Sequence, residues 1–329
     1  LKDKILIVGE GVICPSTFDL LQKELKIIKI TPHELTVKAI DFNEVIAIWI
    51  HFDTFLDRKC LKKISQVPFL ISTTTGLTHI SRDIQEYYGK NLISLRGQTD
   101  LLLKVTSTAE HAWLFLMLWN SSLESALLKV KNGIWSREKL FRKQQIAGKT
   151  LGIIGYGRLG KIFAKFGQAF NMKILVYEIE QKAILDAKES NYEIVESVND
   201  LFVKSDVVSI HASYSVGDSP IITDKVLSSI NKPFLLINTA RAGLVCESSI
   251  IQEITNRPYL HYYSDVLKFE EEGNSLESSN LWQLSKSTNR IRITPHIGGA
   301  NLEAALICEQ ALVRIFFNKL KTFRESEPN

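Results

Sequence analysis

Short β-branched runs separated by amphipathic stretches fill the first hundred residues. Lys4-Ile-Leu-Ile-Val8, Val45-Ile-Ala-Ile-Trp-Ile50, Pro68-Phe-Leu-Ile-Ser72 and Asn91-Leu-Ile-Ser-Leu95 are apolar at successive positions, as buried parallel strands are. Residues 16–25 and 55–64 carry helical spacing and supply the crossovers that parallel strands require. From Thr150 a second alternation begins, with strands expected over 151–154, 173–178, 206–212, 234–239, 260–266 and 291–294, a count that suits a doubly wound sheet. Between the two, Ser107-Thr-Ala-Glu110 matches a capping box, and residues 112–119 are apolar around the whole helix, which predicts an interdomain helix buried between layers. Residues 301–319 read as a final helix returning to the first domain, and the polar stretch 268–287, with Gly273, reads as a surface loop.

Composition narrows the class without redrawing this layout. A chain of 329 residues, 45% hydrophobic and 23% charged, can build two cores, and is neither a disordered nor a fibrous sequence. The charge of +4, from 40 basic and 36 acidic residues, is spread without Lys/Arg blocks, so no nucleic-acid partner is expected. Cys14, Cys60, Cys246 and Cys308 form no CxxC or Cys/His cluster, so neither a metal site nor a disulfide framework is expected. Residues 112–119 are shorter than the ~20 apolar residues of a membrane span, and the N-terminus has no signal-peptide pattern. A cytoplasmic protein with free thiols and no membrane partner is the expectation.

The first chemistry lies in Gly155-Tyr156-Gly157-Arg158-Leu159-Gly160. Such a turn is a weak signal by itself, but here a strand leads in, a helix follows, and a second strand ends at Glu178. Gly155 permits the tight turn, Gly157 lets the backbone approach a pyrophosphate, and Gly160 allows close helix-to-strand packing, while the helix N-terminus attracts phosphate. Glu178 would bind the ribose hydroxyls and repel a 2′-phosphate, which favours NAD over NADP, with Arg158 pulling the other way.

Hydride transfer to a keto acid requires a cation to hold the carboxylate and polarise the carbonyl, plus a proton donor for the alkoxide. Arg241 and His296 follow strands of the second alternation, where ligands of α/β sheets bind. His51 ends a strand of the first, where a substrate contact and a plain surface position are equally compatible with the topology. His111 and His211 read as side chains that cap or pack against the sheet, and Trp113 and Trp119 as core.

Together, Thr73-Thr-Thr-Gly-Leu-Thr-His-Ile80, Ser107-Thr-Ala-Glu-His111, Gly148-Lys-Thr-Leu-Gly-Ile-Ile-Gly-Tyr-Gly-Arg-Leu-Gly160, Ile237-Asn-Thr-Ala-Arg241, Asp265-Val266 and Thr294-Pro-His-Ile-Gly-Gly299 resemble the D-isomer-specific 2-hydroxyacid dehydrogenase family over nearly the whole chain. The resemblance implies a Rossmann NAD-binding domain (105–298) inserted into a flavodoxin-like substrate-binding domain (1–104 plus 299–329), both doubly wound parallel α/β sheets. It implies that Arg241 binds the carboxylate and keto oxygen of a small 2-hydroxy or 2-keto acid, that His296 is the acid/base, and that Glu270, five residues after Asp265, is its partner. It places Thr75 and Gly76 amides at the carboxylate, Thr108, Thr239 and Asp265 at the nicotinamide, and His211, Ala240 and Gly298 with the other cofactor residues. It further implies a homodimer through the cofactor domain and cleft closure during turnover. Ala242 stands where the family has Gly, Ser213 where it has Pro, Glu271-Glu272 follow Glu270 in place of Pro, and Asn120 replaces an arginine. An NAD(H) sensor would keep the glycine turn without needing Arg241 and His296, and a methyltransferase would leave both unexplained.

Overall fold

In a computed structural model that describes residues 3–326 apart from 10, 12, 38–39, 139–144, 216 and 273–274, the chain divides into two compact units. They are Leu1–Val105 with Asn301–Asn329, and Thr106–Ala300. Among the described residues the first unit holds five strands, β1 (Lys4–Val8), β2 (Lys26–Ile30), β3 (Val45–Ile50), β4 (Phe69–Ser72) and β5 (Leu92–Ile93). They pair in parallel in the order β2-β1-β3-β4-β5, the flavodoxin-like arrangement. Alternate residues feed two cores, Ile5 and Ile7 one face, Leu6 and Val8 the other. On the first face the C-terminal helix Leu302–Ser326 docks Phe316 and Phe323 edge-on against Phe69, which is how the chain's end returns to its beginning.

β2 was not among the expected strands. Its sequence, Lys-Ile-Ile-Lys-Ile, follows the helix Pro15–Glu24 after one residue and lies at the sheet edge, where none of its side chains is fully buried. The apolar pattern of a half-covered edge strand merges with the helix before it.

The second unit carries β6 (Thr150–Ile154), β7 (Lys173–Tyr177), β8 (Glu193–Ile194), β9 (Val207–Ile210), β10 (Phe234–Asn238), β11 (Leu260–Ser264) and β12 (Ile291–Ile293). All described pairings are parallel, in the order β12-β11-β10-β9-β6-β7-β8. The winding direction reverses between β6 and β9, so the carboxyl ends of these two strands flank a switch point, where doubly wound sheets bind ligands.

Three local expectations are corrected. Residues 268–287 are not a plain surface loop: helices Lys268–Glu272 and Asn280–Ser285 form there, the second capped by Ser279 Oγ, which accepts the Trp282 N–H at 3.2 Å, and anchored by Leu281 at 0% exposure. The capping box at Ser107 does not form. The helix Ser107–Trp119 starts after Thr106, whose hydroxyl donates to Glu110 at 2.5 Å, and Ser107 Oγ is buried without a hydrogen-bond partner. Nor is this helix covered all round, since Leu114 is 57% exposed. The stretch Thr99–Trp119 has the length and mean hydropathy, 1.2, of a membrane span, but it is broken into helices Thr99–Leu102 and Ser107–Trp119.

Candidate active site

β6 runs directly into the glycine turn, and the three glycines act for different physical reasons. Gly155 has φ +87°, a left-handed conformation, and a Cβ there would lie 2.6 Å from the Ala212 amide nitrogen. A Cβ on Gly160 would fall onto the Gly155 carbonyl oxygen. At Gly157 nothing lies within 4 Å of the Cβ position, so the backbone there faces open space. The helix Arg158–Ala169 begins at this point with no side-chain cap, which leaves its first N–H groups for a ligand's phosphates.

Glu178 follows β7 and is fixed beside the turn. Its Oε2 accepts the Tyr156 N–H at 2.6 Å, and its Oε1 accepts those of Ile179 and Glu180 at 2.7 and 3.0 Å. Tyr156 serves the turn through its backbone, for its ring is buried edge-on against Tyr192. Arg158 and Leu159 are partly exposed on the first helical turn. His211, after β9, packs its ring on Phe163 at 4.9 Å, and neither buried ring nitrogen has a hydrogen-bond partner; burial pushes its pKa down to about 3. The expectation that His211 packs against the sheet describes this ring, which stays neutral. Thr239, after β10, also keeps a buried hydroxyl without a protein partner. Open space at Gly157, an uncapped helix start, a fixed carboxylate and an unpartnered hydroxyl fit a dinucleotide.

The ends of β10, β11 and β12 are neighbours in the sheet, and each presents a polar residue. At the end of β10, Asn238 at 0% exposure shapes the loop: its Oδ1 accepts the Ala240 N–H and its Nδ2 donates to the Arg241 carbonyl, both at 3.0 Å. Arg241 Nη1 donates to the Ala240 carbonyl at 2.6 Å. Sequence reasoning passed over Asn238, although a polar residue closing an apolar strand three positions before Arg241 was a signal.

Asp265, after β11, is 1% exposed and holds the next loop rather than facing outward. Its Oδ1 accepts from Thr294 Oγ1 at 2.5 Å and from the Ile297 N–H at 2.9 Å, and its Oδ2 accepts the Gly298 N–H at 2.6 Å. Glycine at 298 suits this clamp, since a Cβ there would lie 2.8 Å from Asp265 Oδ2, which is pinned by its bond to the Gly298 N–H.

His296 sits inside this clamped loop with φ +53°, a left-handed conformation that costs an L-residue about 1–2 kcal/mol. Its Nδ1 lies 2.6 Å from Glu270 Oε2, and Glu270 Oε1 accepts the Leu267 N–H at 2.8 Å. The carboxylate is therefore tied to its own backbone on one oxygen and to the imidazole on the other. The side chains of Glu271 and Glu272 lie outside the described residues.

In the first unit, His51 directly follows β3. It is 7% exposed, and burial lowers its pKa against the opposing pull of Asp53, so the plain surface position is excluded. Thr75 is exposed and Gly76 partly so, on a loop where Thr74 Oγ1 donates to the Gly76 carbonyl at 2.7 Å.

A glycine turn at the switch point of a parallel sheet, with an arginine after β10 and a carboxylate-paired histidine after β12, fits a dinucleotide-dependent oxidoreductase. The sequence model described as "D-isomer specific 2-hydroxyacid dehydrogenase, NAD binding domain" matches residues 114–298, more than half of the chain. The chain belongs to this family of NAD-dependent enzymes. It is 25% identical over 313 residues to a hydroxypyruvate reductase of Thermotoga maritima, covering 92% of this chain and 96% of the relative. A glycerate dehydrogenase of Methylorubrum extorquens is 26% identical over 261 residues, 77% of this chain and 76% of the relative. The solved D-lactate dehydrogenase of Aquifex aeolicus, complexed with NAD and lactic acid, shares the fold with a TM-score of 0.77 at 23% identity, over 98% of this chain and 96% of that one.

Proposed function

We propose that this enzyme interconverts a small D-2-hydroxy acid and its 2-keto acid, with His296 as acid/base, Glu270 as its carboxylate partner and Arg241 as the anion-binding group. The observation that carries the reading is the 2.6 Å approach of His296 Nδ1 to Glu270 Oε2 beside the strand ends. A carboxylate on Nδ1 fixes the tautomer and stabilises the imidazolium, so proton exchange with the substrate oxygen runs through Nε2. Arg241 pairs with the substrate carboxylate and polarises the keto group, using the planar donor set of its guanidinium. The glycine turn Gly155–Gly160 and Glu178 would hold NAD, which would supply the hydride acceptor in its oxidised form and the hydride donor in its reduced form. Thr108, Thr239 and Asp265 belong to the nicotinamide side of this reading, Ala240 and Gly298 to the rest of the cofactor site, and His51, Thr75 and Gly76 to the substrate domain.

Purified protein with NADH and hydroxypyruvate or glyoxylate tests the proposal by loss of absorbance at the nicotinamide band. Turnover that falls by about 10²-fold or more in His296→Ala, with NADH affinity retained, is the expected result. Full activity in that variant refutes the assignment.

A homodimer is part of the same proposal. It is supported by the helix Leu123–Lys131, none of whose residues is buried and on which Leu123, Leu127, Leu128 and Val130 are each more than half exposed, as is Leu114 on the preceding helix. So much unpartnered apolar surface is unusual on a monomer. A cytoplasmic, reducing compartment is supported by four free cysteines.

A further inference from the structure

We infer that His111 is a positioning residue for His296, acting through Thr294 and Asp265; this rests on the reading of His296 as the acid/base. His111 lies on the helix Ser107–Trp119, packed at 4.6 Å against Phe115, with its Nε2 2.9 Å from Thr294 Oγ1 and 3.5 Å from Asp265 Oδ1. Proton accounting settles the direction of these bonds. A carboxylate only accepts, so the single Thr294 hydroxyl proton goes to Asp265 Oδ1, and Thr294 Oγ1 can only accept from His111. His111 must therefore carry a proton on Nε2.

The consequence is a chain of groups running from the helix to the loop. His111 donates to Thr294, Thr294 donates to Asp265, and Asp265 accepts the amides of Ile297 and Gly298. These contacts bracket His296 on both sides and hold it in its left-handed conformation, from which Nδ1 meets Glu270. Asp265 is nearly fully buried, and the Nε2 proton beside it is part of what keeps its charge satisfied. Without the His111 donor, the Thr294 hydroxyl loses its outer partner and the loop its anchor to the helix. Acid/base geometry then loosens while the glycine turn stays intact.

The test compares His111→Leu, His111→Gln, Thr294→Val, the double variant His111→Leu/Thr294→Val and His296→Gln in hydroxypyruvate reduction. NADH affinity is measured by fluorescence and tautomer by imidazole ¹⁵N NMR of the wild-type chain. The Leu variant is expected to lose roughly tenfold in kcat, the rate equivalent of one hydrogen bond, with NADH Kd within about twofold of wild type. The Gln variant, whose Nε2 donor can reach Thr294, is expected to recover most of that loss. Thr294→Val, which also removes the bond to Asp265, should lose at least as much as His111→Leu, and the double variant should be no slower than Thr294→Val alone. Wild-type kcat in His111→Leu, equal losses in the Leu and Gln variants, or multiplicative losses in the double variant overturns the inference. So does a wild-type His111 whose Nε2 carries no proton, a readout that needs no substrate. If His111→Leu does not fold, His111→Gln and Thr294→Val carry the comparison. His296→Gln at wild-type kcat removes the underlying acid/base reading; an inactive His296→Gln beside a fully active His111→Leu removes only the role of His111.

Discussion

Substituting the glycines of the cofactor turn separates packing from binding. In Gly160→Ala the new methyl meets the Gly155 carbonyl oxygen head-on, with Gly155 C at 3.2 Å and Ile153 Cγ2 at 3.4 Å. Gly155 has little room to swing away, because it already sits at φ +87° and the Ala212 amide nitrogen lies only 2.6 Å from where a Cβ on it would be. The helix start or the turn must therefore shift by about 1 Å. Overpacking of this kind costs about 1–3 kcal/mol, and the better helix propensity of alanine offsets at most ~1 kcal/mol of it. A net loss of about 1–2 kcal/mol lowers Tm by roughly 2–8 °C for a unit of this size. The displaced amides should raise the NADH Kd at least about tenfold, the equivalent of ~1.4 kcal/mol. Gly157→Ala is the control. Its methyl enters open space at an extended φ of −73°, so Tm should stay within about 1 °C while NADH binding weakens comparably, because that space is where the backbone must approach pyrophosphate. Fluorescence titration and thermal unfolding of both variants read the two effects. Wild-type NADH affinity in Gly157→Ala would mean that the cofactor does not lie on this turn, and an unchanged Tm in Gly160→Ala would refute the packing argument.

Three further outcomes are expected. Arg241→Ala should raise the keto-acid KM and lower kcat while NADH Kd stays within about twofold; unchanged kinetics would remove Arg241 from the site. Glu270→Gln should cost about 10–100-fold in kcat, the range of a hydrogen bond to a charged group, and a loss below twofold would count against the pairing. For His211, a folded pKa of about 3 lies below the unfolded value near 6.5, so the unfolded chain binds the extra proton between those limits. Its contribution to stability is present above pH ~6.5 and is lost as pH falls, at about 1.4 kcal/mol per pH unit below ~6. His211→Phe should flatten the difference in urea midpoint between pH 7 and pH 5, and an unaltered difference would show that this ring is not the group responsible.

Most of the architecture was legible because buried parallel strands are apolar at successive positions, as Phe234, Leu235, Leu236 and Ile237 are, and so stand out without any knowledge of their neighbours. Where an element is covered only in part, that signal fails. β2 escaped because its side chains are half exposed at a sheet edge, β8 because it has two residues, and the helix Asn280–Ser285 because it is only six residues long with one fully buried anchor, Leu281. The supposed capping box failed because Thr106, one position earlier, took the cap position and Glu110 with it.

The sequence alone determined the fold class, the cofactor turn and the strand-end placement of Arg241 and His296, because local spacing and the succession of strands and helices along the chain can be read from its periodicity and motifs. Tertiary structure decided what those positions touch. Only folding brings Glu270 to His296 across 26 residues, turns Asp265 onto the loop beyond it, and sets His111 against Thr294 across 183. Hydrogen-bond partners so distant along the chain leave no periodic trace, since a buried carboxylate selects its donors by geometry in space and not by spacing in sequence.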